Sequence, residues 1–167
     1  TKGSKFLTFN TTIDNQARDH RVRVMLPTDI ETDFVHADSP FDVIQRNIRW
    51  RQTGDNMEKH YACQPMKNFV SLNDRHTGMS FFSKGLGEYE VMDDKRRTLA
   101  ITLLRGHRAY MLATRGLLAP EELNAQQGQH NIGITQFDYA IALHKGDWFS
   151  AGIPALSQEF KTPARAI

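Results

Sequence analysis

The sequence predicts an all-β chain, an antiparallel β-sandwich with little helix, and that helix near the C-terminus. Three observations lead there. Apolar and polar residues alternate with period two in many short runs, the mark of strands with one buried face. The links between runs are mostly of hairpin length and rich in Asp, Asn, Gly and Pro. Strands recurring at such spacing without intervening helices favour packed antiparallel sheets over a parallel α/β fold.

The first run, residues 6–13 (FLTFNTTI), places Leu7, Phe9 and Ile13 on one face. Asp14 and Asn15 then supply turn chemistry. Residues 20–26 follow, with His20, Val22, Val24 and Leu26 on one face and Arg21, Arg23 and Met25 on the other, closed by Pro27. These two runs are expected to pair as a hairpin. Residues 32–37 make a short strand ended by Asp38-Ser39-Pro40, and residues 41–51 a strand or a strand plus loop, made basic by Arg46, Arg49 and Arg51. Residues 52–66 read as a loop.

Residues 67–73 and 79–83 form a hairpin about the 74–78 turn, and Gly85-Leu86-Gly87 leads into a strand at 88–92. After another turn, residues 98–104 (TLAITLL) make a largely buried strand, so the four are expected to form one antiparallel meander. Within 106–130 lie an apolar stretch (109–118), a helical turn at 120–124 opened by Pro120, and a Gln-rich loop. Residues 132–144 hold the longest alternation: Thr135, Phe137, Tyr139, Ile141 and Leu143 against Gln136, Asp138, Ala140 and Ala142. Residues 147–160 suggest short helices interrupted by Pro154. Several strands are apolar on both faces, so part of a sheet is expected to need cover from another domain.

The 167 residues suit one domain. With 21 basic against 19 acidic residues the net charge is +2, too balanced to argue for nucleic acid or a membrane surface as partner. A single cysteine, Cys63, leaves no internal disulfide and favours a reducing, cytoplasmic setting. No apolar run reaches the ~18 residues of a spanning helix.

Motifs for chemistry are sparse. Seven histidines are scattered singly, and His60 with Cys63 lacks the second half of a zinc site. Cys63 reads as structural rather than nucleophilic. Gly85-Leu86-Gly87 joins two strands, whereas a phosphate loop leads into a helix. Asp14, Asp19, Asp33, Asp38, Glu88, Glu90, Asp93 and Asp94 sit at turns and strand ends, where backbone reasons alone place carboxylates. Arg21 and Arg23 share a strand face near Asp19. They guard a sheet edge, or they hold an anionic or polyhydroxylated ligand with rigid guanidinium forks; spacing alone favours the first.

The ordered segments DNQARDHRVR (14–23), LPT (26–28), ADSPFDV (37–43), QPMKNFV (64–70), KGLGEYEV (84–91), LAITLLR (99–105) and FDYAIALHKGDW (137–148) resemble the C-terminal β-domain of glycoside hydrolase family 38, the α-mannosidases. The resemblance spans about residues 5–150 and is closest to the bacterial branch that includes mannosylglycerate hydrolases. It implies a supersandwich of the galactose mutarotase-like kind. It also implies a parent enzyme that cleaves an α-mannoside, such as mannosylglycerate or its 6-phospho form, with retention.

The zinc cofactor and the catalytic aspartate would belong to an N-terminal catalytic domain, so no catalytic or metal-ligating residue is expected here. The chain would be a fragment of a longer polypeptide, inactive alone. Its partners would be that domain and a mannoside carbohydrate, with homo-oligomers left open. Asp19, His20, Arg21, Arg96 and Arg97 are the candidates for the rim of the sugar site. Two rivals remain: a free-standing carbohydrate-binding module using Trp50 or Trp148, and a self-contained sandwich enzyme with two facing carboxyl groups.

Overall fold

The computed structural model describes residues 3–49, 61–107 and 130–163. In chain order the strands are β1 (Leu7–Asn15), β2 (Arg21–Leu26), β3 (Phe34–Ser39), β4 (Asp42–Asn47), β5 (Gln64–Pro65), β6 (Phe69–Asn73), β7 (Thr77–Ser83), β8 (Glu88–Val91), β9 (Leu99–Arg105) and β10 (Gly133–Lys145). Among the described residues one helix, α1 (Ile153–Lys161), follows. The strands form a six-stranded sheet in the order β1-β10-β7-β6-β3-β4 and a four-stranded sheet in the order β2-β9-β8-β5. The strand-to-strand pairings are antiparallel, so the predicted all-β sandwich is what forms.

The main core lies between the sheets. Val35, Leu72 and Phe81 come from the large sheet and Tyr89, Leu99 and Ile101 from the small one, all buried. A second core lies on the opposite face of the large sheet, where Phe69, Phe82, Ala140 and Ala142 meet Ile153 and Phe160 of α1. Phe81 and Phe82 are adjacent and both fully buried, because successive strand residues point to opposite faces and β7 is covered on both. The cover expected from another domain is supplied, in this region, by the chain's own helix instead.

That arrangement also explains β10. Its first half alternates as the sequence predicts, but from Tyr139 to Ala142 both faces lose water because α1 lies over the alanines. Small residues there let the helix approach. Pro154 does not interrupt the helix as expected; it sits in the first turn, where its missing N–H needs no partner. Gly152 caps it with φ 67°, and Ile153, Ser157 and Phe160 form the buried stripe. Lys161 in the last turn suits the helix dipole and donates to Asn68 Oδ1 at 2.8 Å.

Two predicted pairings are corrected. β1 and β2 are not a hairpin: β1 pairs with β10, and β2 with β9 in the other sheet. The cause is Asn15, whose buried side-chain amide donates to the carbonyls of His130 (2.8 Å) and Asn131 (3.0 Å) while its oxygen accepts from the Ala17 amide. The turn chemistry anchors β1 to the start of β10, and residues 16–20 cross between layers. The expected four-strand meander is likewise two hairpins in different sheets, β6–β7 and β8–β9. Ser83 Oγ ties the crossing link by bonding both the amide and the carbonyl of Leu86.

The strand predicted at 32–37 lies two residues later, since Thr32 Oγ1 holds the Phe34 amide in a local turn. The helical turn at 120–124, the apolar stretch at 109–118 and Trp50 lie outside the described residues.

A charged outer face as the candidate functional site

The small sheet presents one face to the core and the other outward. On β2, Val24 and Leu26 turn inward while Arg21 and Arg23 turn outward; on β8, Tyr89 and Val91 turn inward while Glu88 and Glu90 turn outward. β9 runs between them, with Thr102 opposite Arg23 and Ala100 opposite Glu90. Because these middle residues are short, the arginines of one neighbour can reach the glutamates of the other across β9. Arg23 Nη1 lies 2.5 Å from Glu90 Oε2, and Arg21 Nη1 3.3 Å from Glu88 Oε1. Arg105, at the end of β9, donates to Glu88 Oε2 at 3.0 Å, and Thr102 Oγ1 donates to Oε1 at 2.6 Å. Cys63 Sγ stands 2.9 Å from Arg21 Nη1 and 3.7 Å from Glu90 Oε2.

The arginines, glutamates and Cys63 line, with Tyr61, an open depression of about 700 Å³. A second hollow, lined by Asp19, His20, Gly106 and His107, shares Arg21 and Arg105 with the first. Its backbone is fixed: the Gly106 amide donates to the His20 carbonyl at 2.9 Å, and a Cβ on Gly106 would come within 3.0 Å of the His130 carbonyl. Asp19 adopts φ 53° and its amide reaches His130 Nδ1 at 3.4 Å.

Burial works against the charge of Glu88, but the Thr102 hydrogen bond and the Arg105 and Arg21 guanidinium groups outweigh it. They hold its carboxyl below the ordinary range. Glu88 and Glu90, two residues apart on one strand face, stand roughly 7 Å from one another by strand rise. Glycoside cleavage needs two facing carboxyl groups, but a general acid must keep its proton near neutral pH. Glu88 is biased the other way. The face is a ladder of ion pairs with three guanidinium groups over two carboxylates, leaving donors for a polyhydroxylated or anionic neighbour.

The structure separates the five rim candidates. Asp19, His20 and Arg21 lie at one end of the small sheet. Arg96 and Arg97 lie at the other, roughly 20 Å away along β9 by strand rise. There the amides of Thr28 and Asp29 donate to the Arg96 carbonyl, and the Arg96 guanidinium clasps Asp29 at 2.8 and 2.7 Å in a largely solvated pair. Arg97 differs. Its backbone has φ 45°, its side chain is only 11% exposed, and it donates to the Thr32 carbonyl, Asp33 and Asp93. Arg97 and Arg49 together hold the Asp93 carboxyl below its usual range.

Arg105, Cys63 and Tyr61 were not singled out as site residues by the sequence. The available signal was the matched two-residue spacing of Arg21/Arg23 and Glu88/Glu90, which puts each pair on one strand face. Trp148, a candidate sugar platform, is half-buried, with its ring packed near His36 and Phe69. Among the described residues no group of three His, Cys, Asp or Glu side chains could hold a metal.

The fold is an antiparallel β-sandwich domain with a charged outer face. Comparison with known proteins places it more closely. Residues 1–109 match the model for the C-terminal domain of glycosyl hydrolases family 38. Over 156 residues the chain is 30% identical to a protein of Halalkalibacterium halodurans described as a "Putative mannosylglycerate hydrolase", covering 91% of this chain and 15% of that protein. It superimposes on an alpha-mannosidase from Enterococcus faecalis V583 with TM-score 0.71, at 30% identity, covering 96% of this chain and 17% of that one. A second Enterococcus faecalis structure, a glycosyl hydrolase family 38 protein, gives TM-score 0.67 with the same coverage.

The chain belongs to glycoside hydrolase family 38. It corresponds to the non-catalytic C-terminal domain and spans about a sixth of the length of these relatives. Among its described residues no helix is long and apolar enough to cross a membrane.

Proposed function

We propose that this domain serves a polypeptide that hydrolyses an α-mannoside with retention, mannosylglycerate or its 6-phospho form being the substrates that the resemblance suggests. The catalytic residues and zinc would lie in an N-terminal catalytic domain of that polypeptide, in a reducing cytoplasm suited to the free thiol of Cys63. The domain packs against its catalytic partner and shapes the rim of the sugar site.

One observation carries the placing of that rim. Arg21 and Arg105 stand between two adjoining hollows, with donors in excess of acceptors, at the end where Asp19 and His20 enter β2. Hydroxyl-rich ligands are held by such convergent charged groups. On this reading Arg96 belongs to the far end of the sheet, and Arg97 holds that end together.

The 167-residue chain alone should not turn over aryl α-mannosides, even with added zinc, and calorimetry should detect no mannoside binding to it. Robust zinc-dependent turnover by the pure chain would overturn the reading. In the longer polypeptide, Arg21→Ala should raise KM roughly tenfold, as loss of about one charged hydrogen bond predicts, whereas Arg96→Ala should leave it unchanged. The reverse pattern would move the rim to the other end.

A further inference from the structure

Among the described residues the two sheets have four edge strands, and three carry devices that discourage a further strand. β5 is two residues long and includes Pro65, which has no amide hydrogen. β2 bears Arg21 and Arg23 and meets β9 across a register shift between Val22 and Arg23. β4 bears Asp42 and Arg46, and Arg46 is drawn across to the Pro65 carbonyl (3.2 Å) and the Tyr89 hydroxyl (3.1 Å) of the other sheet.

Of such devices β1 carries only Asp14, next to its last residue. It is nine residues long, and its register with β10 runs unbroken from Leu7 opposite Ile141 to Asn15 opposite Gly133. From Leu7 to Ile13 it contains no charge, no proline and no glycine, and it is rich in Thr, Phe and Ile, which favour strands. The side chains it turns toward the sandwich interior are left in water at one end: Leu7 is 66% exposed and Phe9 40%. Leu143, on the same face of neighbouring β10, is 76% exposed. The four-stranded sheet does not cover this corner of the six-stranded one.

We propose that the free edge of β1 receives a further extended segment from the same polypeptide. That segment would make the large sheet seven-stranded and lay apolar side chains over Leu7 and Phe9. The occupant is assigned by length. The chain covers 15% and 17% of the two relatives compared, so in proteins of that size most of the backbone is available from outside it. Main-chain pairing supplies the affinity in such strand addition, and alternate side chains supply the fit. The inference rests on the reading that the chain works as one domain of a longer polypeptide.

Hydrogen exchange followed by mass spectrometry tests it on the segment covering 7–15, in the 167-residue chain and in the longer polypeptide. In the chain alone, the alternate β1 amides not bonded to β10 exchange fast. In the longer polypeptide they slow by about 100-fold or more, as paired strand amides do. Leu7→Lys in the longer polypeptide restores fast exchange there while leaving the melting of the 167-residue chain unchanged. Equal, fast exchange in both proteins overturns the proposal. So does protection already present in the isolated chain that grows with concentration alongside a dimer in sedimentation, because a second copy then holds the edge. Turnover of an aryl α-mannoside is measured in parallel. An active polypeptide with an open β1 edge refutes this inference alone, and an inactive one with a protected edge refutes the mannosidase reading alone.

Discussion

Gly78 on β7 lies directly opposite His144 on β10, and the imidazole occupies the space where a side chain would be. A Cβ built at Gly78 would stand 2.0 Å from His144 Cε1 and 2.6 Å from Nδ1. In Gly78→Ala the ring must leave, and with it goes the 3.0 Å contact from Nε2 to Ser80 Oγ. Ser80 is fully buried and gives its own proton to Ser71 Oγ at 2.8 Å, so its oxygen loses its donor.

Displacing a packed ring costs about 1–3 kcal/mol, and the lost hydrogen bond about 1. The restricted unfolded chain returns about 0.4–1, leaving a destabilisation of about 2 kcal/mol. For a chain of this size that is a fall in Tm of roughly 4–8 °C. Equilibrium urea unfolding of the wild type, Gly78→Ala, His144→Ala and the double variant closes a cycle. If the ring is the obstacle, Gly78→Ala costs less than about 0.5 kcal/mol in the His144→Ala background. An undiminished cost in that background would refute the reasoning.

Two further predictions concern charge. Burial pushes the His144 and His36 imidazoles below the ordinary histidine value, and hydrogen bonding to Gln45 only partly opposes it for His36. Below the unfolded pKa of about 6.5 the unfolded chain therefore binds the protons first. The stability owed to these neutral rings is complete above that pH and declines as pH falls through it. Urea midpoints at pH 7.5 and 5.5 should show the drop, and the double variant His36→Gln, His144→Gln should flatten it. Arg97→Ala should cost about 3 kcal/mol, because it strips a nearly buried guanidinium from the Thr32 carbonyl and two carboxylates. Arg96→Ala, breaking a solvated pair, should cost less than about 1; denaturant unfolding of both variants separates the two neighbours.

The strands were legible because alternation is local: β2, β6, β7 and β9 fall within two residues of where their patterns place them. Which sheet each strand joins was not. The link from β7 to β8 is short and glycine-bearing, as a hairpin turn would be, yet it crosses the sandwich. The bonds that decide this run from Ser83 to the Leu86 backbone. Asn15 shows the same limit, since its partners are carbonyls more than a hundred residues away. On the charged face, Arg21 and Arg23 were visible as a pair, and Glu88 and Glu90 were visible as carboxylates on a strand. Their meeting depends on β9 lying between them and carrying short residues at 100 and 102, which needs the strand order. Arg97 looked like its neighbour Arg96 because adjacent arginines in a turn are equivalent until one of them is buried.

The crossing links set an order of events in synthesis. The six-stranded sheet draws its strands from both ends of the chain, so β1 waits for β10 to be made, with the other sheet's strands emerging in between. At ~5–20 residues per second that delay is on the order of ten seconds. Throughout it β1 lacks its β10 partner, and pairings of such long sequence separation form slowly even when both strands are present. The large sheet therefore gains its β1–β10 ladder only after residues 133–145 have been made.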